Sequence, residues 1–166
     1  MIENYNRILK LRAIRSFEDR RLSDEHMGRI LEAARWTGSS KNRQNWAFVV
    51  VTDSTQKDRL AAAGDYSDPI RSAPAAIALI QEPEGYEFDT GRVAQNIMLS
   101  ADAIGVASCP VTLHREEIAA EVLGLPAGTR CRYAVAVGYA APSAGPARYG
   151  GRKALDNLVH HDHYGT

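Results

Sequence analysis

The order of the predicted segments indicates a three-layer α/β domain that begins with helices. Short apolar, β-rich runs alternate along the chain with amphipathic segments of helical length. The 166 residues have the size of one domain, residues 1–166, which buries roughly 70% of its unfolded surface. A dinucleotide-binding unit of the Rossmann type begins with a strand and a glycine-rich turn, and this chain does not.

The first two elements are predicted to be helices. Residues 2–11 carry apolar residues among charges, which favours a short helix that ends before an arginine-rich loop over 12–21. Ser23 is a suitable N-cap for the second helix, because two acidic residues follow it in the first turn. The apolar stripe of this helix stops at Gly38.

Each later strand is predicted from a short apolar run, and each later helix from a cap or a terminal glycine. In chain order these elements are a strand at Trp46–Thr52, a helix at Ser54–Ala63 closed by Gly64, a strand at Ala75–Gln81, a helix at Phe88–Ile104 capped by Asp89 or Thr90, a short strand at Val106–Cys109, a helix at Glu116–Leu123 ended by Gly124, and a strand at Arg132–Tyr139. Residues 140–151 have the composition of a loop, and a short helix or an extended tail is expected from there to Thr166.

The charge balance excludes several classes of partner. Lys+Arg and Asp+Glu number 20 each, so the net charge is +0. A neutral chain has no global field that attracts nucleic acid or an anionic membrane, and any anion site must therefore be local.

The cysteines and the apolar runs indicate the compartment. Cys109 and Cys131 form no CxxC pair, and we expect buried thiols in a reducing cytosol rather than a disulfide. Glu3 and Arg7 interrupt the apolar core that a signal peptide requires, and no apolar run approaches the ~20 residues of a membrane-spanning helix. We therefore expect a soluble, cytoplasmic protein.

Common enzyme motifs are missing from the sequence. No GxGxxG, GxxxxGK, GxSxG or HExxH occurs, so dinucleotide, nucleoside triphosphate, hydrolase and zinc-protease interpretations lack their defining parts. His160, His161 and His163 have the side chains of a divalent metal site, but a solvated or interface role is the alternative that we favour, and no metal is assigned.

Cations near both ends of the chain favour an anionic cofactor. Arg12 and Arg15 lie in the first loop, and Arg152 with Lys153 follows the glycine pair near the C-terminus. The planar guanidinium group binds phosphate through two N–H groups at once. The alternative for the first pair is that the two arginines are solvated or form weak surface ion pairs with Glu18, Asp19 or Asp24.

The segment SSKNRQNW, Ser39–Trp46, offers hydroxyls, amides and one aromatic ring but no strong acid or base. Such a surface suits a heterocycle better than a metal. The alternative is an ordinary polar loop that enters a strand, with Trp46 as a core anchor.

Two further features lie on the long helix and the strand after it. Gln95 and Asn96 interrupt a core-facing helix, where an unpaired amide would cost ~1 to 3 kcal/mol, so both need partners. For Asn96 we favour neighbouring backbone or a dimer partner. Pro110 is predicted at a strand end, which leaves the backbone N–H groups after it free to face a ligand.

Five segments, in this order, resemble the signatures of the FMN-dependent nitroreductase family over nearly the full chain. They are RAIRSF, SSKNRQNW, APAAIALI, DTGRVAQNIMLSADAIGVASCP and GRKALDNLVHHDHYG. The resemblance implies an α+β three-layer fold with a central, mainly antiparallel sheet flanked by helices. It also implies an intertwined homodimer with two FMN sites at its interface.

The resemblance implies roles for individual residues. The phosphate and ribityl end of FMN would be held by Arg12, Arg15 and Arg152, the isoalloxazine ring would be lined by Ser39, Ser40 and Asn42 of the other subunit, and backbone groups of residues 110–113 would face the ring and its hydride-accepting nitrogen. The full set expected at the cofactor is Arg12, Ala13, Arg15, Ser39, Ser40, Asn42, Gln95, Pro110, Val111, Thr112, Leu113, Arg152 and Lys153. Members often have two adjacent arginines followed by serine, whereas this chain has Leu11, Arg12 and Ala13.

The function implied is an NAD(P)H-dependent oxidoreductase that works by ping-pong hydride transfer. NADH or NADPH would reduce the flavin, and a nitroaromatic, a quinone or a similar electron-poor acceptor would oxidise it. No protein side chain is expected to be catalytic, because the cofactor carries the chemistry. The alternatives are a flavin-binding carrier or sensor with little turnover, and a structural dimer whose arginine loops contact a protein partner.

Overall fold

Within residues 2–145 and 151–165, which are those that the computed structural model describes, four strands form one sheet. In chain order the elements are α1 (Ile2–Lys10), α2 (Asp24–Arg35), β1 (Trp46–Val51), α3 (Ser54–Ala61), α4 (Asp68–Ser72), β2 (Ala75–Gln81), α5 (Glu87–Ala103), β3 (Ala107–Thr112), α6 (Glu116–Leu123) and β4 (Arg130–Gly138). Short 3₁₀ turns occupy Ser40–Asn42 and Leu155–Asn157.

The sheet has the strand order β1-β2-β4-β3, and every neighbouring pair is antiparallel. The alternation of segments along the chain favoured an α/β fold, and that prediction is wrong. The α+β fold with an antiparallel sheet, which the resemblance implied, is confirmed. Alternation is a local property of the sequence, whereas strand direction depends on distant pairing: β4 is the last strand in the chain and lies between β2 and β3.

Helices cover both faces of the sheet, which gives three layers. On one face α2 and α5 bury Ile30 and Ile97 against Ile77 of β2. On the other face α3, α4 and α6 pack against the alternate residues of the same strand, including Ala76 and Ala78. Because successive side chains in a strand point to opposite faces, a continuous apolar strand such as β2 serves both cores.

Local signals located most helix ends correctly. Ser23 caps α2 and its side chain accepts a hydrogen bond from the His26 N–H at 3.1 Å. Gly124 ends α6 in the left-handed conformation, with φ at 63°. The predicted cap of α5 is wrong, because the helix begins at Glu87 and Asp89 lies in its first turn, 3.6 Å from the Arg92 guanidinium.

Other element boundaries also differ from the prediction. The helix α2 ends at Arg35 rather than at Gly38, β3 extends through Pro110 to Thr112, and α4 occupies a segment that was expected to be a turn. The segment before α4 contains turn-forming residues, but Pro69 occupies one of the first two helical positions, where proline is favourable.

The C-terminal segment is not buried by the rest of the described chain. Residues 151–165 are exposed throughout, and Leu155 is 70% exposed. Of the loop predicted over 140–151, residues 146–150 lie outside the described residues, and Arg148 is among them. Among the helices described, none combines the length and apolar character needed to cross a membrane.

Candidate functional site

The arginine loop, residues 12–17, is fastened along the edge of β3. The Ile14 N–H donates to the Ser108 carbonyl at 2.9 Å, and Phe17 forms an isolated antiparallel bridge with Ala140. The Phe17 side chain is buried in a small cluster with Ala73, Cys109 and Ala136. The loop therefore has a fixed backbone that carries two exposed arginine side chains.

A second contact supports this loop from α4. The Ser72 hydroxyl donates to the Arg15 carbonyl at 3.2 Å. Gly138 at the end of β4 allows the loop and the start of β2 to approach closely, because a Cβ there would lie 2.5 Å from Pro74 Cδ and 3.0 Å from Phe17 Cδ1. Sequence reasoning did not identify these supports, because they join segments far apart in the chain.

Arg12 and Arg15 differ in their surroundings. The Arg12 Nη1 group donates to the carbonyls of Leu9 and Leu11 at 2.8 and 2.7 Å, so that it caps the C-terminal end of α1, where a cation is favourable. The other guanidinium N–H groups of Arg12 stay available, since arginine has five donors. Within the described ranges neither arginine forms an ion pair, and Asp24 pairs instead with Arg21 at 2.7 Å, so solvation is the alternative to phosphate binding that remains.

The open edge of β3 offers one backbone donor beyond its proline. The Leu113 N–H donates to the Arg132 carbonyl at 2.8 Å, and because hydrogen-bonded pairs alternate in an antiparallel ladder, the Val111 groups also face β4. Ser108, Pro110 and Thr112 then point their backbone groups outward, and the carbonyl of Ser108 is already paired with the arginine loop. The Thr112 N–H is therefore the donor that this edge presents after Pro110.

The structure corrects the prediction for Pro110. This residue lies inside β3 and not at its end. A proline is tolerated inside an edge strand when the N–H that it lacks would have faced away from the sheet. The expectation that all the following N–H groups are free is wrong for Val111 and for Leu113, which face β4, and the Leu113 side chain is also fully buried. Val111 is likewise buried, whereas Thr112 is half-buried.

The segment Ser39–Trp46 has an unusual backbone. Lys41, Asn42 and Gln44 all adopt the left-handed conformation, with φ of 54°, 53° and 55°. The Ser39 hydroxyl stabilises the turn by accepting the Gln44 N–H at 2.9 Å. Residues other than glycine in this region store strain, and such strain is concentrated at functional sites.

Trp46 begins β1 and packs against the core, which confirms its role as an anchor. The segment before it therefore lies at the β1 edge of the sheet, and the arginine loop lies at the β3 edge. Three strand spacings, roughly 14 Å, separate the two edges. Within one protomer the structure does not bring Ser39, Ser40 and Asn42 to the arginine loop.

The two amides of α5 have different environments. Gln95 is exposed, so the prediction that it interrupts a core-facing surface is wrong. The Asn96 Nδ2 group donates to the hydroxyl of buried Thr37 at 2.8 Å. The need for a partner is confirmed for Asn96, and the partner in the structure is a side chain just after α2 rather than neighbouring backbone.

The C-terminal cations are exposed in the structure. Arg152 and Lys153 are exposed, and no hydrogen bond or ion pair joins either side chain to the part of the chain that the structure describes. His160 packs its ring against Tyr164 at 4.4 Å. No group of three or more histidine, cysteine, aspartate or glutamate side chains with a metal-binding arrangement occurs in residues 2–145 and 151–165.

The thiols near the sheet are unreactive in character. Burial raises the pKa of the Cys109 thiol, and the positive charge of Arg15 opposes this to a smaller extent. Burial also raises the pKa of Cys131 to about 12. Both cysteines are free and buried, as expected, and as neutral thiols they are poor nucleophiles.

These donors fit the parts of a flavin mononucleotide. Arg12 and Arg15 have guanidinium N–H groups that no carboxylate of the described residues takes up, which suits a phosphate. The Thr112 N–H at the open edge suits a heteroatom of the ring system. The strained polar segment supplies hydroxyls and amides at the opposite edge of the sheet.

Comparison with known proteins identifies the family of the chain. The model of the nitroreductase family matches residues 8–67 and 66–139. A relative from Archaeoglobus fulgidus, provisionally named NADH dehydrogenase/NAD(P)H nitroreductase, is 31% identical over 150 residues, which are 84% of this chain and 86% of the relative.

Solved structures share the fold. An FMN-dependent nitroreductase from Clostridium difficile superposes with a TM-score of 0.84 at 24% identity, covering 96% of this chain and 99% of that one. Nitroreductase A from Vibrio parahaemolyticus gives a TM-score of 0.89 at 22% identity, covering 99% of this chain and 78% of that one. From the family match and the degree of identity, the chain belongs to the nitroreductase family.

Proposed function

We propose that this protein is an FMN-dependent oxidoreductase that takes a hydride from NADH or NADPH and reduces electron-poor acceptors such as nitroaromatics and quinones. The observation that carries the proposal lies at the edge of β3. There the arginine loop, with two arginines that have no carboxylate partner among the described residues, is hydrogen-bonded to the strand that presents the outward Thr112 N–H. Family membership and the names of the relatives give the same reaction class.

The chain's own residues would bind and orient the cofactor. Arg12 and Arg15 supply positive charge for the phosphate and ribityl end, and Arg152 with Lys153 would join them when the tail is engaged. The Thr112 N–H is the donor available to the ring system. FMN, when bound, supplies reversible two-electron transfer, so that no protein acid or base is required.

We further propose that two protomers complete each site. The polar segment Ser39–Trp46 and the arginine loop lie at opposite edges of the sheet within one protomer, which favours a partner as the source of this segment at each site. Apolar side chains outside both cores support such pairing: Trp36 is 74% exposed and Phe88 is 77% exposed. The apolar tail residues that do not pack on their own protomer are consistent with an intertwined homodimer.

A cytoplasmic location is part of the proposal. Cys109 and Cys131 are both free thiols, buried on the strands β3 and β4. Free thiols are typical of a reducing compartment.

The test is a flavin assay on the purified protein. We expect a yellow preparation with stoichiometric FMN, bleaching on anaerobic addition of NADH or NADPH, and recovery of the colour when a quinone or nitroaromatic is added. A colourless protein that neither takes up FMN nor oxidises either nicotinamide would contradict the proposal. Stoichiometric FMN with slow reduction by both nicotinamides would instead indicate a flavin carrier.

A further inference from the structure

A cleft of about 230 Å³ lies between the arginine loop, the end of α5 and the start of β3. Its lining includes Arg12 and Ile14 from the loop, Asp102 from α5 and Ser108 from β3. This volume is below the usual size of a complete small-molecule pocket, roughly 300 Å³ or more, but it is ample for one end of a ligand.

Ser108 carries the unusual polar atom of this cleft. The residue is only 2% exposed, and its carbonyl is paired with the Ile14 N–H. Its hydroxyl has no hydrogen bond among the described residues, although every fully enclosed side-chain nitrogen or oxygen there has a partner. The hydroxyl is therefore accessible from the cleft, where its donor and its acceptor capacity are free for a ligand.

The charge at the cleft favours an anion. Arg12 presents the guanidinium N–H groups that the α1 carbonyls leave unused. The carboxylate of Asp102 is the negative group in the lining, and its Oδ2 is neutralised by Arg7 Nη1 at 3.1 Å. A guanidinium beside a free hydroxyl is a combination that binds phosphate oxygens.

We infer that the Ser108 hydroxyl donates a hydrogen bond to the phosphomonoester end of FMN in this cleft. The inference rests on the proposed function and adds a binding residue to it. It differs from the expectation for residues 110–113, because Ser108 lies in the first half of β3 and acts through its side chain. Since the bond forms only with the phosphate end, Ser108 distinguishes FMN from riboflavin.

The experiment measures the Kd of flavin-free protein for FMN and for riboflavin, from the quenching of flavin fluorescence. In Ser108→Ala and Ser108→Cys we expect the Kd for FMN to rise roughly tenfold or more and the Kd for riboflavin to stay unchanged. Ser100→Ala is the matched control, because its hydroxyl bonds within α5 to the Ile97 carbonyl at 3.0 Å, and neither Kd should change.

A structural role for the hydroxyl predicts different results. Because the Ser108 hydroxyl has no partner in the flavin-free protein, Ser108→Ala should leave its Tm unchanged or slightly raised. A loss of Tm, or equal weakening of both flavins, would overturn the inference. Unchanged Kd values for both flavins would overturn it as well, while FMN binding by the wild type would leave the proposed function standing.

Competition with inorganic phosphate shows whether the cleft binds the phosphate group of FMN or an unrelated anion. If the phosphate of FMN occupies the cleft, high concentrations of inorganic phosphate should raise the apparent Kd of the wild type for FMN and not for riboflavin. If inorganic phosphate leaves FMN binding unaffected, the cleft does not hold the phosphate of the cofactor, and the inference fails.

Discussion

Gly138→Ala is a direct test of how the arginine loop is held. Gly138 is buried at the end of β4, opposite Ala107. An added Cβ would lie 2.5 Å from Cδ and 2.9 Å from Cγ of the Pro74 ring, and 3.0 Å from Cδ1 of Phe17. The Pro74 ring has little freedom to move away, and Phe17 is packed in its own cluster, so backbone must shift.

The magnitude follows from the cost of overpacking. Extra methyl groups in a packed interior cost about 1–3 kcal/mol. For a domain of this size each kcal/mol lowers Tm by roughly 2–4 °C, so we expect a Tm lower by roughly 2–12 °C at fixed protein concentration. Because Phe17 lies two residues from Arg15, displacement of its ring should also weaken FMN binding.

The control is the same substitution at Gly28, which lies inside α2. A Cβ there meets no atom within 4 Å, and alanine is the better helix former by roughly 0.5–1 kcal/mol. Gly28→Ala should therefore raise Tm slightly and leave the Kd for FMN unchanged. If Gly138→Ala has the Tm and FMN affinity of the wild type, then the close approach at β4 does not hold the loop, and the reasoning is wrong.

Three other perturbations test separate contacts. Arg152→Ala is expected to weaken FMN retention by roughly tenfold or more, and Arg148→Ala by less, as measured by flavin release on dilution; equal retention would contradict the role of the tail. Asn96→Ala should lower the free energy of unfolding of the flavin-free protein in urea by about 1–3 kcal/mol, because it leaves the buried Thr37 hydroxyl unpaired. Its control, Gln95→Ala at an exposed site, should change this free energy by less than about 0.5 kcal/mol. The pKa of Cys131 is raised from its ordinary 9.0 to about 12, so the native state keeps the thiol proton to higher pH than the unfolded chain does. The contribution of this thiol to the free energy of unfolding is therefore complete below pH 9 and declines as pH rises toward 12. In urea unfolding at a series of pH values, Cys131→Ala should flatten that decline.

Local sequence signals predict many of the helices and strands. The N-cap at Ser23, the terminal glycine at Gly124 and the apolar runs of β1 and β2 each depend on a few adjacent residues, and the structure places these elements close to where they were expected. Strand direction, by contrast, depends on which distant strand becomes a neighbour. No local pattern reports that β4 pairs with both β2 and β3.

The site was predictable in composition but not in arrangement. The sequence marks Arg12 and Arg15 as cations in a loop, yet only the structure shows that α1 uses part of Arg12 and that Ser72 supports the backbone of Arg15. The partner of Asn96 is 59 positions away, at Thr37, which no spacing rule reveals.

The outer edge of β3 is both protected against pairing with other strands and open to a ligand at one point. An unpaired edge is a liability, because its free N–H and C=O groups pair with other chains, and proline on the edge blocks such pairing. Pro110 occupies an outward position, and the arginine loop covers the neighbouring outward position at Ser108. After both protections the Thr112 N–H is left pointing outward, so the sheet resists extension by another strand while it keeps a directed donor for a ligand that has a single acceptor at that point.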